Sequence, residues 1–394
     1  MQNSGDVNGL ILTGGGARAA YQVGVLQEMM CLRQASNNDT RNPFQVICGT
    51  SAGAINASVL ACGADQFEKT LNTLGEVWHN FRAHQVYHSD ILDMIRSGAR
   101  WISLLSLGWL IGQKKFRPKS LLNNAPLGEL LRAHADFNRL PQLMAQGHLQ
   151  ALAITASNYN NGEHVTFYQS KSEIESWVRN QRQAMPCQLQ HEHLMASSGI
   201  PFIFPAARLQ GPQGPAWFGD GSMRQTAPVS PAIHLGADKI LVIGAGRMHE
   251  PQNNTAADTT AYPSMANIAG HALSSIFLDA LAVDVERLQR INQTLKLIPP
   301  EKRRESNLRP VELLLISPSE RLDAIALRHA SQLPVTVKKL LQVLGSSPQS
   351  SAGQNGAFMS YLFFESVYTQ ELMALGRKDA RAKALEIRQF FGWN

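Results

Sequence analysis

Short, nearly unbroken apolar runs alternate along the chain with segments of helical composition. This alternation predicts an α/β protein with a largely parallel sheet rather than an antiparallel sandwich. Gly9 to Thr13 predicts a strand, followed by three glycines and a helix over Ala17 to Met30; Val46 to Cys48 predicts a second strand, which feeds Gly49 to Gly53 and a helix over Ala52 to Ala61. Helices are expected over Asp65 to His79 and Ser89 to Ile95. Leu149 to Ala156 and Val165 to Tyr168, separated by an Asn-Asn-Gly turn, predict a hairpin. Leu189 to Ser198 reads as a helix stopped by Pro201, and Pro228 to Leu235 as a crossover helix before the buried-strand run ILVI. Val311 to Ile316 is a further strand, and Phe358 to Tyr368 a helix behind a Ser/Gln/Gly-rich loop. Met265, Ile268, Ala272, Ile276 and Ala280 recur at helical spacing and predict a core-facing stripe. No fixed-period repeat interrupts the series.

Length and composition leave this picture intact. A chain of 394 residues, 44% hydrophobic and 17% charged, can bury a sizeable core, which excludes wholesale disorder, collagen and coiled coil. The net charge of +6 is a modest basic excess, and no aromatic and basic interleaving marks a nucleic-acid surface. Cys31, Cys48, Cys62 and Cys187 lack both zinc-ligand spacing and disulfide-scaffold density, so free thiols are expected. Met1 to Val7 shows no secretory pattern, which makes a cytoplasmic location the expectation. Trp101 to Gly112 is the most apolar stretch but is short of the roughly 20 residues of a helical span. With Lys114 and Lys115 beside it, this stretch is a candidate for peripheral membrane contact through Trp101, Leu104, Leu105 and Trp109, or for burial in a helical cap near 85–120.

Two glycine motifs carry the candidate chemistry. Gly49-Thr50-Ser51-Ala52-Gly53 fits G-x-S-x-G between a strand and a helix, where a tight turn exposes the Ser51 oxygen and small neighbours allow close backbone approach. Gly14-Gly15-Gly16-Ala17-Arg18 forms a second strand-to-helix turn whose backbone N–H groups suit an anion. Gly14, Gly16 and Ala19 also satisfy a loose dinucleotide fingerprint, but Asp39 is not placed on a strand to hold a ribose, and no Gly-Lys-Ser/Thr ending makes a P-loop. In a serine hydrolase, the same glycines would stabilise the oxyanion formed by attack on a carbonyl. A base for Ser51 is available in Asp220, on an Asp-Gly turn after an apolar approach, whereas His234, His249, His271 and His329 carry no local signature.

Four ordered blocks, GGGARAAYQVGVL at Gly14 to Leu26, GTSAG at Gly49 to Gly53, ASSGIPFIFPA at Ala196 to Ala206 and DGSMRQTAPV at Asp220 to Val229, resemble the bacterial patatin-like phospholipase family. The resemblance implies a three-layer α/β fold with a central, mainly parallel sheet and helices on both faces. It implies a catalytic core over 7–245 and leaves 246–394 as a C-terminal extension, of which 310–317, with its apolar run, is a candidate contributor to the core. It further implies a Ser51–Asp220 dyad, an oxyanion hole at Gly15 and Gly16 with Gly14 as a further candidate, and supporting roles for Arg18, Gly49, Gly53 and Gly221. The expected reaction is hydrolysis of acyl-ester lipids, of phospholipase A or lysophospholipase type, through an acyl-enzyme and with neither metal nor cofactor. Ala19 and Ser222 depart from the family pattern, which expects glycine at the first and glycine or alanine at the second. Two other readings stay open: a noncatalytic lipid-binding or interaction protein on the same scaffold, and a Ser-Asp-His carboxylesterase that recruits His271 or another histidine. The sequence carries no signal for oligomeric state.

Overall fold

The architecture is taken from a computed structural model, which describes residues 6–37, 39–88, 120–246, 265–275, 280–303, 308–343 and 356–393. The candidate membrane-contact residues Trp101, Leu104, Leu105, Trp109, Lys114 and Lys115, the helix expected over Ser89 to Ile95, and His249 lie outside the described residues.

Ten strands form one mixed sheet: β1 (Asn8–Leu12), β2 (Val46–Thr50), β3 (Ala151–Asn158), β4 (His164–Ser170), β5 (Val178–Arg179), β6 (Arg182–Pro186), β7 (Ala207–Gly211), β8 (Gly214–Asp220), β9 (Lys239–Ile243) and β10 (Glu312–Ile316). The order is β10-β9-β1-β2-β3-β4-β6-β5, and the first five of these strands run parallel. Successive side chains in this parallel block enter opposite faces, as strand geometry requires. Leu10, Leu12, Ile47, Leu241 and Ile243 enter the larger core. Ile11, Val46, Cys48, Ile240 and Val242 enter the smaller one. Burial on both faces explains why β1, β2 and β9 read as continuous apolar runs.

The larger core is covered by α1 (Ala20–Asn37), α2 (Ala52–Cys62) and α3 (Phe67–His79), together with the C-terminal helices Gly356–Leu362, Ser366–Ala382 and Ala384–Phe391. The smaller core is closed by Ser230–His234 and Ala280–Leu297, through Ala232, Leu281, Val285 and Leu288. In α3 the buried side chains Phe67, Leu71, Leu74 and Trp78 mark one amphipathic face. Helix α2 is built of small and apolar residues and is buried nearly all round. The helix Ser366–Ala382 packs closely along α1: a Cβ at Gly24 would lie 2.0 Å from the Met373 carbonyl oxygen, and one at Gly376 would lie 2.2 Å from that of Tyr21.

The C-terminal part of the chain thus returns to the sheet and to its larger face. The stripe expected from Met265, of which Ile276 lies outside the described residues, differs from the structure in its first part. Helix Met265–Ser274 leaves Met265, Ile268 and Ala272 exposed and buries Gly270 and Leu273 instead. The close neighbour that selects this face is helix Gly356–Leu362, whose Phe358 backbone nitrogen lies 2.9 Å from where a Cβ on Gly270 would be. Among the described residues, no helix is long and apolar enough to cross a membrane.

Candidate active site

The sheet register brings the two motifs together. Strand β3 pairs with β2 up to Thr50 opposite Thr155, and with β8 from Asp220 opposite Ala156. Strand β4 occupies the other edge of β3, so β2 and β8 share one edge and approach each other end to end. The parallel strand stops at Thr50 and the antiparallel one at Asp220, which places their terminal turns against each other.

Ser51 sits at the turn between β2 and α2 with φ +55° and ψ −131°, a positive φ that costs a non-glycine residue strain. Its Oγ donates to Asp220 Oδ2 at 2.6 Å, and both residues are buried. The Ser222 N–H donates to the other carboxylate oxygen at 2.8 Å. Burial outweighs these bonds and raises the Asp220 carboxyl from its ordinary 3.8 to about 6.

Several partners fix this pair. Ser197 Oγ accepts the Ser51 N–H at 2.9 Å and donates to the Thr155 carbonyl at 2.6 Å, while the Ser197 carbonyl accepts the Gly221 N–H at 3.1 Å. The Asp220 N–H donates to Gly199 O at 3.0 Å. The block ASSGIPFIFPA is therefore the bracket between nucleophile turn and aspartate turn. His164 on β4 contacts the Gly221 carbonyl through Nε2 at 2.9 Å. Desolvation lowers its pKa to about 4, so at neutral pH the ring is uncharged and Nε2–H is the donor. Gly53 and Gly221 are close-approach positions, where a Cβ would lie 2.2 Å from Leu12 O and 1.9 Å from Thr155 O; at Gly49 it would lie 2.4 Å from Ala54 Cα.

The glycine turn leaves β1 and enters a short 3-10 helix, Gly16–Ala19. Gly16 has φ +56°, and Gly15 O accepts the Arg18 N–H at 3.1 Å. Among the described residues, neither the Gly15 nor the Gly16 N–H has a protein acceptor. A buried network holds the turn: Gln22 Nε2 donates to Thr13 O, and Asn56 Nδ2 donates to Ala19 O and to Gln22 Oε1. Trp78 Nε1 donates in turn to Asn56 Oδ1 at 2.8 Å. Arg18 is buried; its Nε donates to Ser360 Oγ at 2.8 Å, and its guanidinium lies 4.0 Å over the Tyr361 ring.

Gly16 and Ser51 line the same narrow cavity, of about 50 Å³. Its walls are mainly apolar, with Leu74, Trp78, Leu131 and Phe364 among them, and His134 and Ser198 are polar exceptions. The histidines considered as bases are elsewhere: His234 stacks on Trp177, His329 pairs with Glu371 at 2.6 Å, and His271 is exposed. The four cysteines are unpaired, and Cys48 and Cys62 are buried. No group of three or more metal-ligating side chains occurs among the described residues.

The patatin-like phospholipase family profile matches residues 10–233, more than half of the chain. The chain belongs to the patatin-like phospholipase family. No curated protein sequence matches the chain significantly. Among solved structures, VipD from Legionella pneumophila aligns at 15% identity over 94% of this chain and 67% of its own, with a TM-score of 0.32. The type III effector ExoU of Pseudomonas aeruginosa aligns at 13% over 98% of this chain and 53% of its own, with a TM-score of 0.37. Human GIVD cytosolic phospholipase A2 aligns at 12% over 98% and 60%, with a TM-score of 0.44. The chain thus spans about half to two thirds of the length of these three proteins.

Ser197, His164, Asn56, Ser360 and Tyr361 join this site without a sequence signature of their own. Ser197 lies within ASSGIPFIFPA, which marks its place but not its bonds. The others sit in ordinary helix or strand sequence, with no local signal.

Proposed function

We propose that this chain hydrolyses acyl esters of lipids through a Ser51–Asp220 dyad, with phospholipase A or lysophospholipase substrates. The observation that carries the reading is the 2.6 Å hydrogen bond from the Ser51 hydroxyl to a buried carboxylate whose pKa is raised towards neutrality. A carboxylate at about 6 is a better proton acceptor than an ordinary one and is still ionised at pH 7. The Ser51 proton passes to Asp220 as Oγ bonds to the ester carbonyl carbon. The resulting oxyanion is held by the N–H groups of Gly15 and Gly16, a contribution of roughly 3 kcal/mol per donor in comparable sites. Collapse breaks the ester bond, and Asp220 returns the proton to the departing alcohol oxygen, leaving acyl-Ser51 and an alcohol or lysolipid. Water then gives its proton to Asp220, attacks the acyl carbon, and releases the fatty acid as Ser51 is re-protonated. The mainly apolar lining of the cavity shared by Gly16 and Ser51 favours an apolar acyl group beside the nucleophile.

The test is fluorophosphonate labelling of wild type, Ser51→Ala and Asp220→Asn, followed by an ester-lipid panel read by product mass. Wild type should label on Ser51, and Ser51→Ala should lose labelling and at least 1,000-fold of turnover, on the order seen for triad serines. Full turnover by well-folded Ser51→Ala would overturn the dyad.

A further inference from the structure

The segment 356–365 lies beyond the residues that the family profile matches, yet it meets the site at two points. At one end, Ser360 and Tyr361 hold the glycine turn. Ser360 Oγ accepts Arg18 Nε–H at 2.8 Å and donates to Ala357 O at 2.6 Å, so its single hydroxyl is oriented as an acceptor towards Arg18. The Tyr361 ring lies 4.0 Å under the guanidinium, and a Cβ on Gly16 would come within 2.2 Å of the Tyr361 carbonyl oxygen. At the other end, Phe364 lines the cavity that reaches Ser51. Both contacts are buried; Ser360 and Tyr361 are fully shielded from solvent, and Arg18 nearly so.

A three-residue turn of glycines has little stiffness of its own, since glycine restricts the backbone least. An oxyanion hole acts only if its donors are already aimed before reaction. The stiffness must come from neighbours, and Arg18 is the side chain of this turn that reaches out to one.

We propose that Ser360 is a positioning residue for the oxyanion turn. By fixing the Arg18 guanidinium against Tyr361, it sets the direction of the Gly15 and Gly16 N–H groups, so the C-terminal region completes the active site. This rests on the dyad reading above. The consequence is a defect confined to steps that develop negative charge on the carbonyl oxygen, with ground-state binding and the titration of Asp220 untouched.

The experiment uses the full chain and compares wild type with Ser360→Ala, Ser360→Cys, Arg18→Lys and the double variant Ser360→Ala/Arg18→Lys. Leu288→Ala, in the opposite core, serves as a control for lost stability. The readouts are fluorophosphonate labelling rate, kcat and KM on a short-chain ester, and the pH profile of kcat/KM. Ser360→Ala should lower kcat and labelling about 10- to 100-fold at unchanged KM and unchanged pH midpoint. Ser360→Cys, a weaker acceptor of similar shape, should fall between, and supplies the reading if Ser360→Ala does not fold. The double variant should lose little more than either single one. Wild-type labelling and kcat in both Ser360 variants would overturn the proposal, as would a loss matched by Leu288→Ala or confined to KM. Failure of wild type to label on Ser51 is a different result and would overturn the dyad reading instead.

Discussion

Asp220 is fully buried and accepts hydrogen bonds at both carboxylate oxygens, and its pKa of about 6 records which influence prevails. In the proposed dyad Asp220 acts as base only when ionised, so kcat/KM should rise with pH through a midpoint near 6 and fall about tenfold per unit below it; a rate profile from pH 4.5 to 8 on a short-chain ester checks this. His164, at about 4, titrates below that window and should not displace the limb. The stability effect has the opposite sense. A carboxyl raised on folding favours the native state while protonated, a contribution present below its ordinary 3.8 and lost as pH rises through about 6. Asp220→Asn should therefore gain stability over wild type at pH 8, by up to about 3 kcal/mol, with the gain vanishing near pH 4. Thermal melts at both pH values measure it. Ser51 and Asp220 were legible in sequence because each sits on a turn whose glycines tolerate no other residue. Ser197 and His164 were not, because a hydroxyl or imidazole bound to a distant backbone carbonyl leaves no periodicity.

The elements show the same division between local and long-range information. Strands β1, β2, β9 and β10 are apolar runs on sequence, and the hairpin of β3 and β4 follows its Asn-Asn-Gly turn; all are present. The meeting of β2 and β8 on one edge of β3 depends on pairings 60 or more residues apart, which no window of sequence contains. Helix Met265–Ser274 buries a different face from its apolar stripe, since such a stripe states that a face is sticky and not that a neighbour arrives to cover it. The crossing of α1 and Ser366–Ala382 permits a sharper forecast. Gly376→Ala would drive a methyl into the Tyr21 carbonyl, and overpacking of this kind costs about 1 to 3 kcal/mol. A fall in denaturant midpoint at unchanged m-value is expected, and an unchanged midpoint would show that the helices can slide apart freely.

On the scale of the whole molecule, a narrow cavity joins the site to residues from α2, α3, helix Ala125–His134 and the C-terminal region. Its slenderness makes chain length a matter of wall side chains. Leu131→Phe should depress kcat/KM for octanoyl and longer esters at least tenfold more than for acetyl esters, which a p-nitrophenyl ester series would reveal; one extra group in such a pocket is worth about 1 to 3 kcal/mol. The sheet order bears on how this chain can be cut. The family profile ends at residue 233, before β9, and β9 lies between β1 and β10. A recombinant fragment trimmed to that boundary would strip β1 of a hydrogen-bonding neighbour and bare an apolar edge, inviting strand-to-strand association among copies. Shuffling of modules between relatives would therefore have to move two separated pieces of polypeptide together.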